Sequence, residues 1–226
     1  MNLAVTDRIT VLLVDDHAVV REGYRRLLES RGGIVVVGEA GTAAEALGKF
    51  SALSPGVVVM DITLPGVSGI ECLRRMLAAT PGARVLMFSM HEDAIFASRA
   101  LQAGAAGYVT KASAPDVLVA AVQGIAAGKR YLSPDIAQEL ALRNVSASSD
   151  ADARSQLSMR EFEVLRLLVK GLPTREIADA LGLTPKTVAN HQSAIKQKLS
   201  AETPIQLARI GAEVLRARGD QNGGVE

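Results

Sequence analysis

Short β-branched runs alternate with helical spacing over the first half of the chain. The runs are Ile9 to Val14, Ile34 to Glu39, Val57 to Met60, Arg84 to Ser89 and Ala106 to Val109. Continuous apolar runs of this length read as strands buried on both faces, and strands that alternate with helices read as parallel βαβ units. The pattern predicts a doubly wound α/β domain with a five-stranded parallel sheet over residues 8–127. Thr42 with Glu45, Ser68 with Glu71, and Ser113 with Asp116 have the spacing of helix starts, in which a side chain caps free amides and an acid reaches back.

The rhythm changes after Gly128. Residues 128–156 read as a linker carrying one helix, which opens at Ser133-Pro134-Asp135 and runs to about Arg143. Residues 144–156 are small and polar and cannot bury enough surface to order themselves. Beyond them no strand pattern appears. Ser158 with Glu161 forms a capping box before a helix with Phe162, Leu165, Leu168 and Val169 on its apolar face, ended by Gly171. A compact helix follows, with Ile177, Ala178 and Leu181 as its core face, and then a turn at Gly182. A third helix from Pro185 to Leu199 places Val188, Ile195 and Leu199 on one side. A last one starts at Thr203-Pro204 and fades near Arg218. Residues 157–218 are therefore a second, all-α, four-helix domain containing a helix-turn-helix, and 219–226 read as a disordered tail.

Length agrees with two domains, since 226 residues are ample for two cores. The net charge of +1 says little about partners. Divided near residue 150, the first part holds 14 basic and 15 acidic residues and the second 11 and 9, so the helical part is mildly positive. Cys72 is the only cysteine, which excludes an intrachain disulfide and favours a reducing compartment. No run is long enough for a membrane span or a signal peptide, so a cytoplasmic protein with no membrane partner is expected.

The chemistry concentrates at strand ends. Asp61 follows Val57 to Met60, Asp15 and Asp16 follow the first strand, Ser89 ends the fourth and Lys111 follows the fifth. In an open α/β sheet that edge is where ligands bind. Crowded carboxylates repel, and a hard cation such as Mg²⁺ relieves the repulsion, with Asp15, Asp16 and Asp61 as natural ligands. Asp61 can then act as nucleophile toward a phosphoryl group whose remaining oxygens Lys111 and the Ser89 hydroxyl hold. Each residue alone has an ordinary reading: Asp15-Asp16 as a helix cap, Lys111 as a solvated loop residue, Asp61 as a strand end.

These motifs carry a family resemblance. Val14-Asp15-Asp16-His17, Met60-Asp61-Ile62-Thr63-Leu64-Pro65-Gly66 with Gly69, Ser89, and Gly104 to Lys111 resemble the receiver domain of two-component response regulators, a flavodoxin-like fold. Glu176-Ile177-Ala178, Thr187-Val188, His191 and Lys198-Leu199 resemble the DNA-binding domain of the NarL/FixJ (LuxR-type) family. Over Leu101 to Ala141 the chain is similar to regulators of the GacA/UvrY type. The resemblance implies that Asp61 is phosphorylated from the phosphohistidine of a sensor histidine kinase. Asp15, Asp16 and the Thr63 main-chain carbonyl would serve the Mg²⁺, and Ser89 and Tyr108 would be the switch pair. It further implies promoter DNA as ligand, RNA polymerase as partner, a homodimer when phosphorylated, and a transcription regulator that is not an enzyme.

Three positions depart from the family pattern. Ala112 stands where many receivers have proline after the lysine, so a cis-proline loop is not assumed. Met90 replaces a small residue, and its bulk is expected to narrow access to Asp61 and slow exchange of the phosphoryl group with water. Ala189 removes one expected groove contact. On the third helix of the second domain Asn190 and Ser193 are expected to read bases, while Lys186, Thr187, Lys196 and Lys198 meet phosphates. His17 reads as partner-facing, His91 as an exposed loop residue, His191 as a phosphate contact or a helix support, and Cys72 as a small buried hydrophobe. Two rivals remain at this level. One is a Mg²⁺-dependent phosphatase, which wants an acid where Thr63 stands; the other is a switch whose helical domain binds protein instead of DNA.

Overall fold

The structure, a computed structural model, describes residues 8–145 and 157–216, without the side chains of 143–145 and 214–216. The linker stretch 146–156 and the tail 219–226 lie outside the described residues. The chain divides into two compact units after Ser146.

In the first unit all five expected strands form, as β1 (Ile9–Val14), β2 (Ile34–Ala40), β3 (Val57–Met60), β4 (Val85–Ser89) and β5 (Gly107–Thr110). They alternate with α1 (Ala18–Ser30), α2 (Ala43–Leu53), α3 (Gly69–Ala79), α4 (Ala94–Gln102) and α5 (Pro115–Ala126). With a sixth strand, β6 (Tyr131–Leu132), the order is β2-β1-β3-β4-β5-β6, all parallel. Val11, Leu13, Val57, Val59, Leu86, Phe88 and Val109 form one core cluster with Leu118, Val122 and Ile125 of α5. The alternate positions Leu12, Val58, Met60 and Met87 are also fully buried. Burial on both faces is why the strands read as unbroken apolar runs.

The sixth strand corrects the expected five. After α5 the chain pairs β6 (Tyr131–Leu132) with Gly107 and Tyr108 of β5. It continues as α6 (Pro134–Val145), which packs against α4 and β5. The segment expected as a linker with one helix thus belongs, as far as residue 145, to the first unit. A two-residue strand has no period to detect; the free edge of β5 creates it by offering unpaired backbone groups.

Thr42 and Ser68 cap α2 and α3 as expected, each accepting from the backbone N–H of the glutamate three residues on. Ser113 does not cap α5. That helix starts at Pro115 after Ala114, and the Ser113 hydroxyl instead bonds Thr110 Oγ1 at 2.8 Å. Proline at the first helical position lacks an N–H, which lessens the need for a cap.

The second unit holds the four expected helices, α7 (Met159–Val169), α8 (Thr174–Leu181), α9 (Pro185–Lys198) and α10 (Pro204–Arg216). The Ser158–Glu161 capping box is complete. Gly182 turns the chain between α8 and α9 at φ 61°, a left-handed conformation glycine adopts without strain. Thr184 then caps α9. Ile177, Ala178, Leu181, Val188, Ile195 and Leu199 are buried together, as their spacing predicts. Among the described residues no helix is long and apolar enough to cross a membrane.

Candidate phosphoacceptor site and helix-turn-helix

Strand register brings the polar residues to one edge. Val14 lies opposite Met60, Met60 opposite Met87, and Ser89 opposite Thr110, so the residues that end or follow these strands are neighbours. The strand order reverses between β1 and β3, where Asp15 and Asp61 emerge at a topological switch point.

Lys111 joins the two carboxylates. Its Nζ lies 2.5 Å from Asp15 Oδ2 and 2.5 Å from Asp61 Oδ2, and all three side chains are buried. The other oxygens are also engaged: Asp15 Oδ1 accepts from the His17 N–H at 2.8 Å and Asp61 Oδ1 from the Thr63 N–H at 3.2 Å. Burial raises the Asp61 carboxyl above its ordinary pKa, and the Asp15 charge adds to this, while Lys111 and the Thr63 amide pull the other way. For Lys111 burial alone would weaken the ammonium, but the Asp61 charge and the hydrogen bonds to Asp15 and Asp61 prevail and raise its pKa.

Asp16 is more exposed and sits 2.7 Å from His17 Nδ1. The tight set of possible metal ligands is therefore Asp15, Asp16 and His17, with Asp61 attached through Lys111 instead of standing in the same cluster. Three carboxylates with one buried ammonium leave negative charge that a hard cation would balance, so the oxygen donors suit Mg²⁺. Arg21 does not remove that excess: it donates to the Asp15 main-chain carbonyl and pairs with Glu39. The free space under the carboxylates, between Tyr24, Val59 and Phe88, is only about 10 Å³, room for one water. A phosphoryl group must approach from the sheet edge.

Ser89 and Tyr108 are both fully buried, and His91 connects them. The His91 N–H donates to Ser89 Oγ at 3.3 Å, and the Tyr108 hydroxyl donates to the His91 carbonyl at 2.7 Å. The imidazole stacks on Phe96 at 4.0 Å, with its Nε2 3.2 Å from Thr63 Oγ1. His91 is thus a buried member of the site and not the exposed loop residue expected. Its neighbours Glu92 and Asp93 make the loop look polar, and only the later Phe96 gives the ring something to bury against. Met90 behaves in the opposite way. It is 71% exposed. No cis peptide occurs after Lys111. Cys72 is buried as expected, and burial pushes its thiol up to about 11.

On α9 the residues Lys186, Asn190, Ser193 and Gln197 are exposed, and their spacing puts them on one face, opposite the buried Val188 and Ile195. Thr187 is turned toward Thr184, with 2.9 Å between the hydroxyls, and the Ser193 hydroxyl donates to the Ala189 carbonyl. Lys196 is half-buried. Lys198 has a partner within its own unit. Its ammonium lies 2.7 Å from Glu161 Oε2 and ties α9 to the capping box of α7. Glu161 is held below the usual carboxylate range: burial would raise it, but the bonds from Lys198 and Ser158 outweigh that. His191 is half-buried, and burial keeps its imidazole below its ordinary pKa.

Comparison with known proteins decides the family. Residues 11–123 match the response regulator receiver domain, and residues 155–210 match the luxR family of bacterial regulatory proteins. The chain belongs to the LuxR-type response regulators. It is 37% identical to the response regulator UvrY of Escherichia coli O6:H1 over 89% of this chain and 93% of that protein. It is 40% identical to GacA of Pseudomonas syringae pv. syringae over 89% and 94%. Among solved structures it is similar to RcsB of Salmonella enterica serovar Typhimurium bound to promoter rprA in the presence of the phosphomimetic BeF3⁻. That likeness has a TM-score of 0.59 and 27% identity, over 89% of this chain and 97% of that one. As a response regulator it combines a six-stranded receiver with a four-helix LuxR-type domain.

Proposed function

We propose that Asp61 is the phosphoacceptor of a promoter-binding response regulator and that its charge state gates the helix-turn-helix unit. The observation that carries this reading is the Lys111 ammonium shared between Asp15 and Asp61 at the switch point of the sheet. An Asp61 carboxylate oxygen attacks the phosphorus of a phosphohistidine on a sensor histidine kinase. The new O–P bond forms as the N–P bond breaks, and the bonding electrons return to the kinase imidazole, which takes up a proton from solvent. Lys111 turns from the Asp61 carboxylate to a phosphoryl oxygen, and the Ser89 hydroxyl donates to another. Asp15, Asp16, Asp61 and the Thr63 main-chain carbonyl would hold Mg²⁺, which when bound offsets the charge gathering on the phosphoryl oxygens.

Ser89 and Tyr108 act as the switch pair through His91, since the loop between β4 and α4 follows when the Ser89 hydroxyl changes partner. In the second unit Asn190 and Ser193 read bases, and Lys186, Thr187 and Lys196 meet phosphates. Promoter binding by the similar RcsB supports DNA as the ligand. A phosphorylation-dependent homodimer that engages RNA polymerase in the cytoplasm completes the reading, and the single buried thiol suits a reducing compartment. A phosphatase needs an acid two residues beyond the nucleophile, whereas Thr63 there offers a hydroxyl 3.2 Å from His91 Nε2. The test is phosphate incorporation from acetyl phosphate with Mg²⁺, in wild type and Asp61→Asn, followed by titration onto promoter fragments. Incorporation that survives in Asp61→Asn would overturn the assignment.

A further inference from the structure

Two acids of α6, Asp135 and Glu139, stand four residues apart and so lie on the same side of the helix. Each holds a different loop of the phosphoacceptor site. Asp135 Oδ2 accepts from Thr110 Oγ1 at 3.0 Å, and Thr110 is the buried last residue of β5, immediately before Lys111. Glu139 Oε2 accepts from the backbone N–H of Ala94 at 2.9 Å, and Ala94 is the first residue of α4, directly after the loop that contains His91. The start of α6 is fixed a third time, by the Ser133 N–H donating to the Tyr108 carbonyl at 3.0 Å.

Ser133 and helix α6 therefore hold Thr110 next to Lys111, Ala94 at the end of the His91 loop, and the Tyr108 carbonyl. These are the residues that must move when a phosphoryl group draws Lys111 and Ser89 toward itself. The same helix is the last element of the first unit before the chain crosses to the second. Besides burying Ile136 completely, the helix sends two carboxylates to a hydroxyl and an amide on two separate loops.

We propose that Asp135 and Glu139 are positioning residues that clamp the loops after β5 and β4 in their unphosphorylated arrangement, and that α6 loosens when the site is phosphorylated. The inference rests on the reading of Asp61 as phosphoacceptor. A phosphoryl group brings close to two negative charges to the site and draws the Lys111 ammonium and the Ser89 hydroxyl to its oxygens. Movement of the Lys111 loop carries Thr110 from Asp135, and movement of the His91 loop carries Ala94 from Glu139. Because coupling between two sites is reciprocal, loss of the clamp should make the unphosphorylated chain behave like the phosphorylated one.

The first measurement needs no substitution. Full-length protein is compared by amide hydrogen exchange with Mg²⁺ alone and with Mg²⁺ and beryllofluoride. Amides of residues 136–142 should lose protection at least about fivefold, within the range usual for coupled sites. Unchanged protection there, in protein that shows beryllofluoride-dependent protection around Asp61, overturns the inference. No change around Asp61 itself overturns the phosphoacceptor reading beneath it.

The second measurement uses variants that all incorporate phosphate from acetyl phosphate. Glu139→Ala and Thr110→Val should bind promoter DNA more tightly than wild type before phosphorylation and gain less from it. Glu139→Gln keeps an oxygen able to accept from Ala94, so it should restore the wild-type gain. A merely structural role would lower binding in both states alike and would not be rescued by Gln. A wild-type gain in Glu139→Ala overturns the inference.

Discussion

Lys111 and Asp61 are 50 residues apart in the chain and 2.5 Å apart at their charged atoms. The same ammonium reaches Asp15, so a single buried cation serves two buried carboxylates. Removing one partner of such a group leaves uncompensated charge in a medium that solvates it poorly.

Lys111→Met should therefore destabilise the first unit by about 3–5 kcal/mol. Added Mg²⁺ should recover a large part of that loss, because a divalent ion can take over the neutralising role. Thermal unfolding with and without millimolar Mg²⁺ reads both effects, and equal stabilisation of wild type and variant by Mg²⁺ would contradict the shared-cation account.

Gly69 has a different constraint. A Cβ at this position would meet the Asp61 carbonyl oxygen at 1.9 Å, while the Gly69 N–H donates to the Ile62 carbonyl at 2.7 Å. Gly69→Ala should cost about 1–3 kcal/mol as overpacking against backbone. It should also slow phosphate incorporation, since the strain falls on the nucleophile. Denaturant unfolding and acetyl phosphate labelling, run on the same preparation, should both report the change.

Tyr108→Phe keeps the ring and removes the hydrogen bond to the His91 carbonyl. Loss of this buried hydrogen bond is expected to cost about 0.5–1.5 kcal/mol. Phosphate incorporation should persist while the gain in DNA binding on phosphorylation falls, a combination visible by labelling alongside fluorescence anisotropy.

The two lysines of α9 should separate by role. Lys186→Ala should weaken DNA binding similarly for all sequences and reduce the slope of log affinity against log salt by about 1. Lys198→Ala should instead lower the stability of the second unit and leave that slope nearly unchanged, because its ammonium is bound to Glu161. Salt titrations of the two variants beside wild type distinguish the roles.

Glu161 sets a pH dependence. Its carboxyl is depressed in the folded chain, so the ionised form is favoured by folding, and the stabilisation is present above the ordinary glutamate value and lost as pH falls through the folded one. Acid unfolding of the second unit should begin below about pH 4.5. Glu161→Gln should flatten that limb and cost about 1 kcal/mol at neutral pH through the weakened cap. Circular dichroism at 222 nm against pH would show whether the limb flattens.

The legibility of the chain followed the range of the interactions. Strands β1 to β5 and the helices between them are local consequences of composition and period, and the strand bounds were readable to within a residue or two. Asp15, Asp16, Asp61, Ser89 and Lys111 were readable as a group because strand ends in a parallel sheet share one edge. His91, β6 and the packing of α6 were not, since nothing in His91-Glu92-Asp93 or in Tyr131-Leu132 is periodic. The ion pair of Lys198 was hidden for a related reason: on its own helix it is one more cation, and its partner Glu161 is 37 residues away.

Taken alone, the sequence determined the parallel sheet, the second helical unit and the chemical identity of the acid edge, because buried apolar runs and capping residues act over a few neighbours. Tertiary structure decided which charges are paired, which loop is buried and where the first unit ends. Those outcomes depend on groups that meet only after folding: one ammonium between two carboxylates, an imidazole against Phe96, and a helix whose two acids find their donors on separate loops.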